Sequence, residues 1–469
     1  MVEWQFDIFL RAVAKECWMI NGCWFNYDYL NFHTEDIIPE MNIFTIVVGR
    51  NGSGKSRLLR GVVNAFASVP ELKIERDIFN NDDEEVRFTS TDYDFIPTKV
   101  IASSTSPFDK FPVDRRGQRA GYYEYLGLKG LQSSNLSLAF MAKTIGSLVR
   151  SINSDNVHSG TIVGVLDYLG YYGVIKARFA MEPTPKRIEE ALNSPDPIEE
   201  LLDLLRSRYG VTYSNFLKMQ GSHNAEDYNY EVLKALHQFL MFGNKPRLDI
   251  VIDFDGVRDA RTGAMIDDYF TVLLEAGFLR LRDITLHKKG VLEPFRMSDA
   301  SSGEQCVVMA ILGIASQIKD GSLVCIDEPE VCLHPEWQER YIELLISTFS
   351  RFSGCHFVIA THSPQIVSML GDENCYILDI QKRETYNAKW FNKKSADFQL
   401  ASVFGAPGYK NEYLSREFIS ALATLGSGNE LSQKRLNILH RLLALREGID
   451  DSDPVRRLMD MLLEALEEV

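Results

Sequence analysis

The chain has 469 residues, 45% of them hydrophobic and 25% charged, with a formal net charge of −15. That balance is ordinary for a globular protein and excludes disorder, collagen and a coiled-coil rod; at about 150 residues per domain, the length corresponds to roughly three structural units. The acidic excess argues against nucleic-acid binding over the whole surface, which needs clustered Lys and Arg, but leaves local basic patches open.

The seven cysteines stand at Cys17, Cys23, Cys306, Cys325, Cys332, Cys355 and Cys375, with no Cys-x-x-Cys pair. The pattern fits reduced, mostly buried thiols in a cytoplasmic protein. The opening stretch MVEWQFDIFLRAVAKE lacks the apolar core of a signal peptide. No run reaches about 18 uninterrupted apolar residues, so no membrane span is expected.

In chain order, residues 18–50 read as short strands, the last of them IFTIVVG, a continuous apolar run typical of a buried central strand. KSRLLRGVVNAFASV follows with helical spacing at Leu58, Leu59, Val62, Val63 and Phe66, then TKVIASS at 98–104 reads as a strand. From 120 to 245 the periodicity is helical. Residues 246–296 return to strand-like text, and SLVCID and HFVIAT are further buried strands. The tail reads as helical, with Asp453 as cap and Pro454 at a first helical position. The expected fold is α/β, a mixed sheet with flanking helices. The expected units are an N-terminal core part at 1–118, a helical insertion at 119–245, a C-terminal core part at 246–383 and a helical extension at 384–469.

Three strand ends carry the chemistry. Gly49, Arg50, Asn51, Gly52, Ser53, Gly54, Lys55 and Ser56 match G-x-x-x-x-G-K-[ST] between a strand and a helix. The glycines let backbone N–H groups turn inward onto phosphate oxygens, Lys55 supplies a charge for the β- and γ-phosphates, and Ser56 offers a hydroxyl to Mg²⁺. LVCIDE places two acids at a strand end: Asp327 as Mg²⁺ partner and Glu328 as general base or water-positioning residue. In FVIATHSP, His362 ends a third strand. Ser301, Ser302, Gly303, Glu304 and Gln305 open a helix, with Ser302 read as cap and Gln305 in capping-box spacing.

Asp249, Asp253 and Asp255 are either metal ligands or a solvated sheet face. Cys332 and His334 are two candidate ligands without others nearby. Lys110, Arg115, Arg116 and Arg119 with Tyr122, Tyr123 and Tyr125 form a basic-aromatic cluster, either a nucleic-acid contact or a surface loop.

The phosphate loop, the Asp-Glu strand and the Ser-Ser-Gly-Glu-Gln helix just over twenty residues before Asp327 resemble the ABC-type ATPases, whose signature is usually Leu-Ser-Gly-Gly-Gln. The branch most similar is the OLD-like one, related to RecF and Rad50 heads. The string Asp-Glu-Pro-Glu-Val-Cys-Leu-His-Pro-Glu-Trp-Gln is most similar to PtuA ATPases of Septu and retron antiphage systems. The resemblance implies ATP and Mg²⁺ as cofactors and a signature (Ser302, Gly303, Glu304, Gln305) facing the γ-phosphate of a second copy. It also implies a switch role for His362 and a head-to-tail homodimer or higher homo-oligomer. It further implies a partner HNH nuclease of PtuB type, with a reverse transcriptase and its RNA-linked DNA in retrons. Neither an HNH nor a Toprim pattern is present, so nuclease chemistry is expected in a partner. A RecF- or Rad50-like DNA-repair clamp is the alternative. A residue equivalent to the family's glutamine loop is expected within 102–111, at Ser104 or Asp109.

Overall fold

The computed structural model describes residues 19–34, 37–38, 41–67, 86–87, 93, 96–113, 122–129, 136–154, 157–209, 225–241 and 246–467. Its centre is a seven-stranded sheet. The strands are β3 (Ile43–Val48), β5 (Lys99–Ser104), β6 (Tyr123–Gly127), β12 (Ser322–Asp327), β13 (His356–Ala360), β14 (Cys375–Asp379) and β15 (Glu384–Asn387), in the order β15-β14-β3-β13-β12-β5-β6. All neighbours run parallel except the edge pair β14–β15. Every residue of β3, β5, β12, β13 and β14 is buried. Both faces of a parallel sheet are covered by crossover helices, which is why these strands read as unbroken apolar runs.

Two layers cover it. On one face lies α1 (Lys55–Ala67), whose Leu58, Leu59, Val62, Val63 and Phe66 pack with Val47, Val100, Ala102 and Val358. A small antiparallel sheet of β1 (Gly22–Phe25), β2 (Asp28–Asn31) and β4 (Val86–Arg87) completes that layer. On the other face lie α2 (Leu136–Ser154), α3 (Val157–Tyr168) and α8 (Ser302–Gln317). They share one core with a second antiparallel sheet of β7 (Ile175–Met181), β8 (Arg247–Asp253), β9 (Gly256–Asp259), β10 (Leu279–Leu286) and β11 (Phe295–Arg296). Between these come α4 (Pro185–Leu192), α5 (Pro197–Tyr209), α6 (Ala225–Met241) and α7 (Tyr269–Ala276). After α8 follow α9 (Pro335–Phe349) and α10 (Pro364–Ser368).

The stretch 119–245 is not wholly helical. Its first element, β6, is an edge strand of the central sheet, paired with β5 from Val100↔Tyr123 to Ser104↔Gly127. β7 sits between helices and pairs with β8 and β10. Its alternation of buried and exposed residues has period two. Seven residues of that pattern between longer helical segments are absorbed by their neighbours' 3.6-residue periodicity.

The stretch 384–469 opens on β15, an edge strand of the central sheet, and is helical only after it: α11 (Ala396–Ser402), α12 (Glu412–Gly426), α13 (Gln433–Leu443) and α14 (Pro454–Glu467). They enclose a separate core of Leu414, Phe418, Leu439, Leu442, Val455, Met459 and Leu462. Asp453 accepts a hydrogen bond from Val455 N at 2.9 Å beside Pro454, as the cap reading requires. No helix among the described residues is long and apolar enough to cross a membrane.

His356 lies within the central sheet, fully buried. Its Nδ1 accepts from Ile20 N at 3.1 Å and its Nε2 lies 2.9 Å from Thr45 Oγ1, which donates to Phe32 O. Neutral imidazole with its proton on Nε2 satisfies both contacts. Burial pulls the imidazole pKa down to about 3, with His33 as a smaller cause. A depressed folded pKa gives stability that is complete above the ordinary value of about 6.5 and is lost as pH falls toward 3. Urea denaturation should therefore show stability falling below pH 6.5 by up to about 1.4 kcal/mol per pH unit from this group. His356→Gln should flatten that dependence between pH 7 and 5; an unchanged slope would assign it to other groups.

Candidate nucleotide site

The 49–56 loop joins the C-terminal end of β3 to the start of α1. Gly49 (φ 155°) and Gly54 (φ 102°) adopt backbone that side chains avoid. A Cβ on Gly49 would sit 2.7 Å from Ile380 Cγ2, and one on Gly54 would sit 2.9 Å from Phe25 Cζ. A larger residue at either position would be strained and would force these side chains to shift. Lys55 is buried, and its Nζ donates to Gly49 O at 2.9 Å and Arg50 O at 3.3 Å. Arg50 is held from outside the loop: its guanidinium donates to Gly405 O of the tail at 3.0 Å, and its backbone N donates to Gln381 Oε1, just after β14, at 3.0 Å. Asn51 and Gly52 are exposed, and the Ser53 N–H closes the turn onto Arg50 O at 3.2 Å.

The carboxylates stand where β12 ends. Asp327, Ala360 and Val47 are in register across β12, β13 and β3. The residues that follow each strand therefore emerge at one edge. Ser56 Oγ donates to Asp327 Oδ1 at 3.1 Å. Burial, the largest cause, raises the Asp327 carboxyl to about 7, with Glu328 adding repulsion. A hydroxyl and an adjacent carboxylate fit a Mg²⁺ that takes its remaining ligands from phosphates and water. Among the described residues, no group of three or more His, Cys, Asp or Glu side chains could hold a metal on its own.

Glu328 has left-handed backbone, φ 47° and ψ 56°. In a non-glycine residue this costs about 1–3 kcal/mol. Surrounding bonds impose it: Glu328 N donates to Ala360 O at 2.9 Å, Thr105 Oγ1 to Glu328 O at 3.4 Å, and Ser104 Oγ to Asp327 O at 3.2 Å. His362 Nε2 is 3.8 Å from Glu328 Oε1, and its Nδ1 is 3.4 Å from Lys55 Nζ. Burial, with help from the Lys55 charge, lowers the imidazole pKa to about 4. Burial also lowers Lys55 to about 8, against the attraction of Glu328, Glu330 and Asp327. Lys55, Ser56, Asp327, Glu328 and His362 thus form one contact network.

Glu330 belongs beside them and was not singled out by sequence. Its Oε1 accepts from His362 N, its buried Oε2 has no hydrogen bond among the described residues, and burial raises its pKa. The signal in the sequence is a third acid two residues past Glu328.

The signature residues lie apart. The cap of α8 is Ser301, which accepts from Glu304 N at 3.2 Å, so the cap is one residue earlier than expected. Gln305 does not close a capping box: its Nε2 donates to Ala300 O at 3.0 Å, and its Oε1 accepts from Ser137 Oγ at 2.6 Å. Glu304 is drawn off the helix start by the Tyr171 hydroxyl, which donates to Oε1, and by Lys288 Nζ at 3.4 Å. Ser302, beside it at the α8 start, is exposed. Gly303 packs against the main chain after Glu328, where a Cβ would come within 2.9 Å of Cys332 O. Among the described residues, no hydrogen bond links 301–305 to the 49–56 loop.

Other readings change. Cys332 and Cys306 are free thiols lying against each other. The aspartates follow the solvated-face reading: Asp249 pairs with Arg178, and Asp253 and Asp255 pair with Arg258, and among the described residues they form no metal-holding group. Arg115, Arg116 and Arg119 lie outside the described residues. Tyr123 and Tyr125 are buried, donating to Pro112 O and Asp109 Oδ2, and so are not a stacking platform. Asp109 is committed to Tyr125 and to Phe111 N, while Ser104 supports the Asp327 carbonyl.

The model of a family described as AAA domain, putative AbiEii toxin, Type IV TA system matches residues 174–368. The Retron Ec83 probable ATPase of Escherichia coli is 33% identical over 89 residues, covering 17% of this chain and 16% of that protein. The Retron Vc95 probable ATPase of Vibrio cholerae serotype O1 biovar El Tor is 21% identical over 437 residues, covering 80% of this chain and 77% of the relative. Protein ea59 of Escherichia phage lambda is 24% identical over 76% of this chain, which spans about half (51%) of that protein. An ATP-binding cassette of an ABC transporter aligns over 83% of this chain and 96% of its own, at 11% identity and a TM-score of 0.26. The chain joins a phosphate-loop motif to an α/β fold and is similar in sequence, over part or most of its length, to retron probable ATPases and to the AAA domain of the matched toxin–antitoxin family.

Proposed function

We propose that this chain binds and hydrolyses ATP as a head-to-tail pair, as the switch subunit of an antiphage assembly whose nuclease chemistry resides in a partner. The observation that supports hydrolysis best is the network of Lys55, His362, Glu328 and Ser56–Asp327 at one sheet edge. In this reading the loop N–H groups and Lys55 hold the β- and γ-phosphates, and Ser56 and Asp327 hold Mg²⁺. That ion would supply charge neutralisation on the phosphate oxygens. Glu328 orients the attacking water and takes its proton. Neutral His362 bridges Glu328 and Lys55, sensing the γ-phosphate between them. Pairing is supported by the α8 start, whose exposed Ser302 faces no phosphate loop of its own chain. The defence role is supported by the likeness to the two retron ATPases. An HNH nuclease of PtuB type, with or without a reverse transcriptase carrying RNA-linked DNA, is the proposed partner.

Phosphate release and fluorescent-nucleotide titration test the site. Glu328→Gln should keep ATP affinity and lose turnover by about a hundredfold or more. Lys55→Ala should lose binding itself. Normal turnover in Glu328→Gln would contradict the assigned base.

A further inference from the structure

The five-stranded sheet buries one face against helices and opens the other. On β7, Ile175, Ala177, Phe179 and Met181 are buried, while Lys176 and Arg178 are exposed. β8 presents Arg247, β10 presents Arg280 and Arg282, and β11 presents Arg296. Strand register sets these side chains in rows. Arg247, Ala180 and Arg280 lie abreast; Asp249, Arg178 and Asp283 form the next row; Val251, Lys176, Thr285 and Arg296 form the third. The register slips between Leu281 and Asp283, which makes Arg282 an extra, bulged residue on the same open face. With strands about 4.8 Å apart and alternate residues about 6.8 Å apart, the six cations occupy a patch about 14 Å on a side.

Three acids share it. Asp249 meets Arg178 Nε at 2.8 Å, Glu182 meets Arg280 at 3.5 Å and also Arg282, and Asp283 meets Arg296 at 3.7 Å. Lys176 and Arg247 have no carboxylate partner among the described residues. With β9 included, Arg258 stands abreast of Val251 and pairs with Asp253 and Asp255, so seven cations meet five acids and two positive charges are in excess, on a chain whose total is −15. Arg178, Arg247 and Arg282, with Glu182 and Pro246, also line a concavity of about 590 Å³ on this face. The side chains of Arg178, Arg282 and Arg296 are 55%, 54% and 65% exposed, so the donors reach solvent.

We propose that this sheet face binds the phosphodiester backbone of a nucleic acid, without reading its bases. Guanidiniums donate in pairs to phosphate oxygens, and each retains donors beyond the one given to its carboxylate. Their mounting on paired strands repeats the charge at regular intervals, which suits a regular polyanion better than an irregular acidic protein. The rows carry no aromatic side chain on which a base would stack, so affinity comes from phosphates and depends on salt.

Fluorescence anisotropy with a labelled single strand of about 30 nucleotides and its duplex tests this at 50–200 mM KCl, with the full chain. The variants are Lys176→Gln/Arg247→Gln and Lys176→Glu/Arg247→Glu, neither touching the nucleotide site; retained phosphate release reports folding independently. The wild type should bind, and log affinity should fall linearly with log salt. The neutral pair should bind about tenfold or more weakly, with a duplex salt slope shallower by about 1.8, and the reversed pair should not bind. Wild-type affinity in both folded variants, no binding by the wild type at 50 mM, or displacement by polyglutamate as readily as by unlabelled DNA would overturn the proposal. Loss of ATP hydrolysis in the wild type would bear on the nucleotide site and not on this face.

Discussion

The parallel register of β3, β13 and β12 is the constraint on which the rest depends. Three buried strands have their backbone groups satisfied within the sheet, so polar chemistry appears only where they stop. Val47, Ala360 and Asp327 lie abreast, and the next residues along each strand are the phosphate loop, Thr361-His362 and Glu328. A one-residue slip in any of these strands would invert its side chains between two covered faces and shift its end relative to the others. The site is therefore positioned by the core: the residues on either side of β13 meet because Val358 and Ile359 pack into opposite layers.

The same edge concentrates charge. Asp327, Glu328 and Glu330 face one buried lysine, and burial raises Asp327 and Glu330 while it lowers Lys55 and His362. Each shift moves its group toward neutrality, the expected response of a site short of countercharge and water. The proposed polyphosphate and its cation would change that balance. The His362 backbone bond to Glu330 and the packing of Gly303 on the Cys332 carbonyl lie within one short segment after Glu328. That segment is the physical link between the phosphate loop and the start of α8. The tail joins as well, through Arg50 and Gly405.

What the sequence made legible and what it hid follow from range. The phosphate loop, the Asp-Glu strand end and His362 are written in contiguous residues, because each needs an apolar strand directly before it. The α/β core was readable from the same runs. The cap of α8 was read one residue late because Ser301 and Ser302 both carry hydroxyls, and spacing alone does not separate them. β7 was hidden between helices. Tyr171 holds Glu304 across 133 positions, and no local pattern announces such a partner. The buried tyrosines Tyr123 and Tyr125 were grouped with nearby arginines by proximity in sequence, although strand alternation and burial set them inside.

A mixing experiment tests the proposed pairing most directly. A chain with Lys55→Ala lacks a working phosphate loop, and a chain with Ser302→Arg lacks a working signature. Each alone should hydrolyse ATP at background rate. In composite sites, an equimolar mixture restores one intact site in each mixed pair, and random pairing gives about a quarter of the wild-type rate. A mixture that remains at background, or a Ser302→Arg chain that hydrolyses ATP normally by itself, would contradict the account and assign the complete site to a single chain.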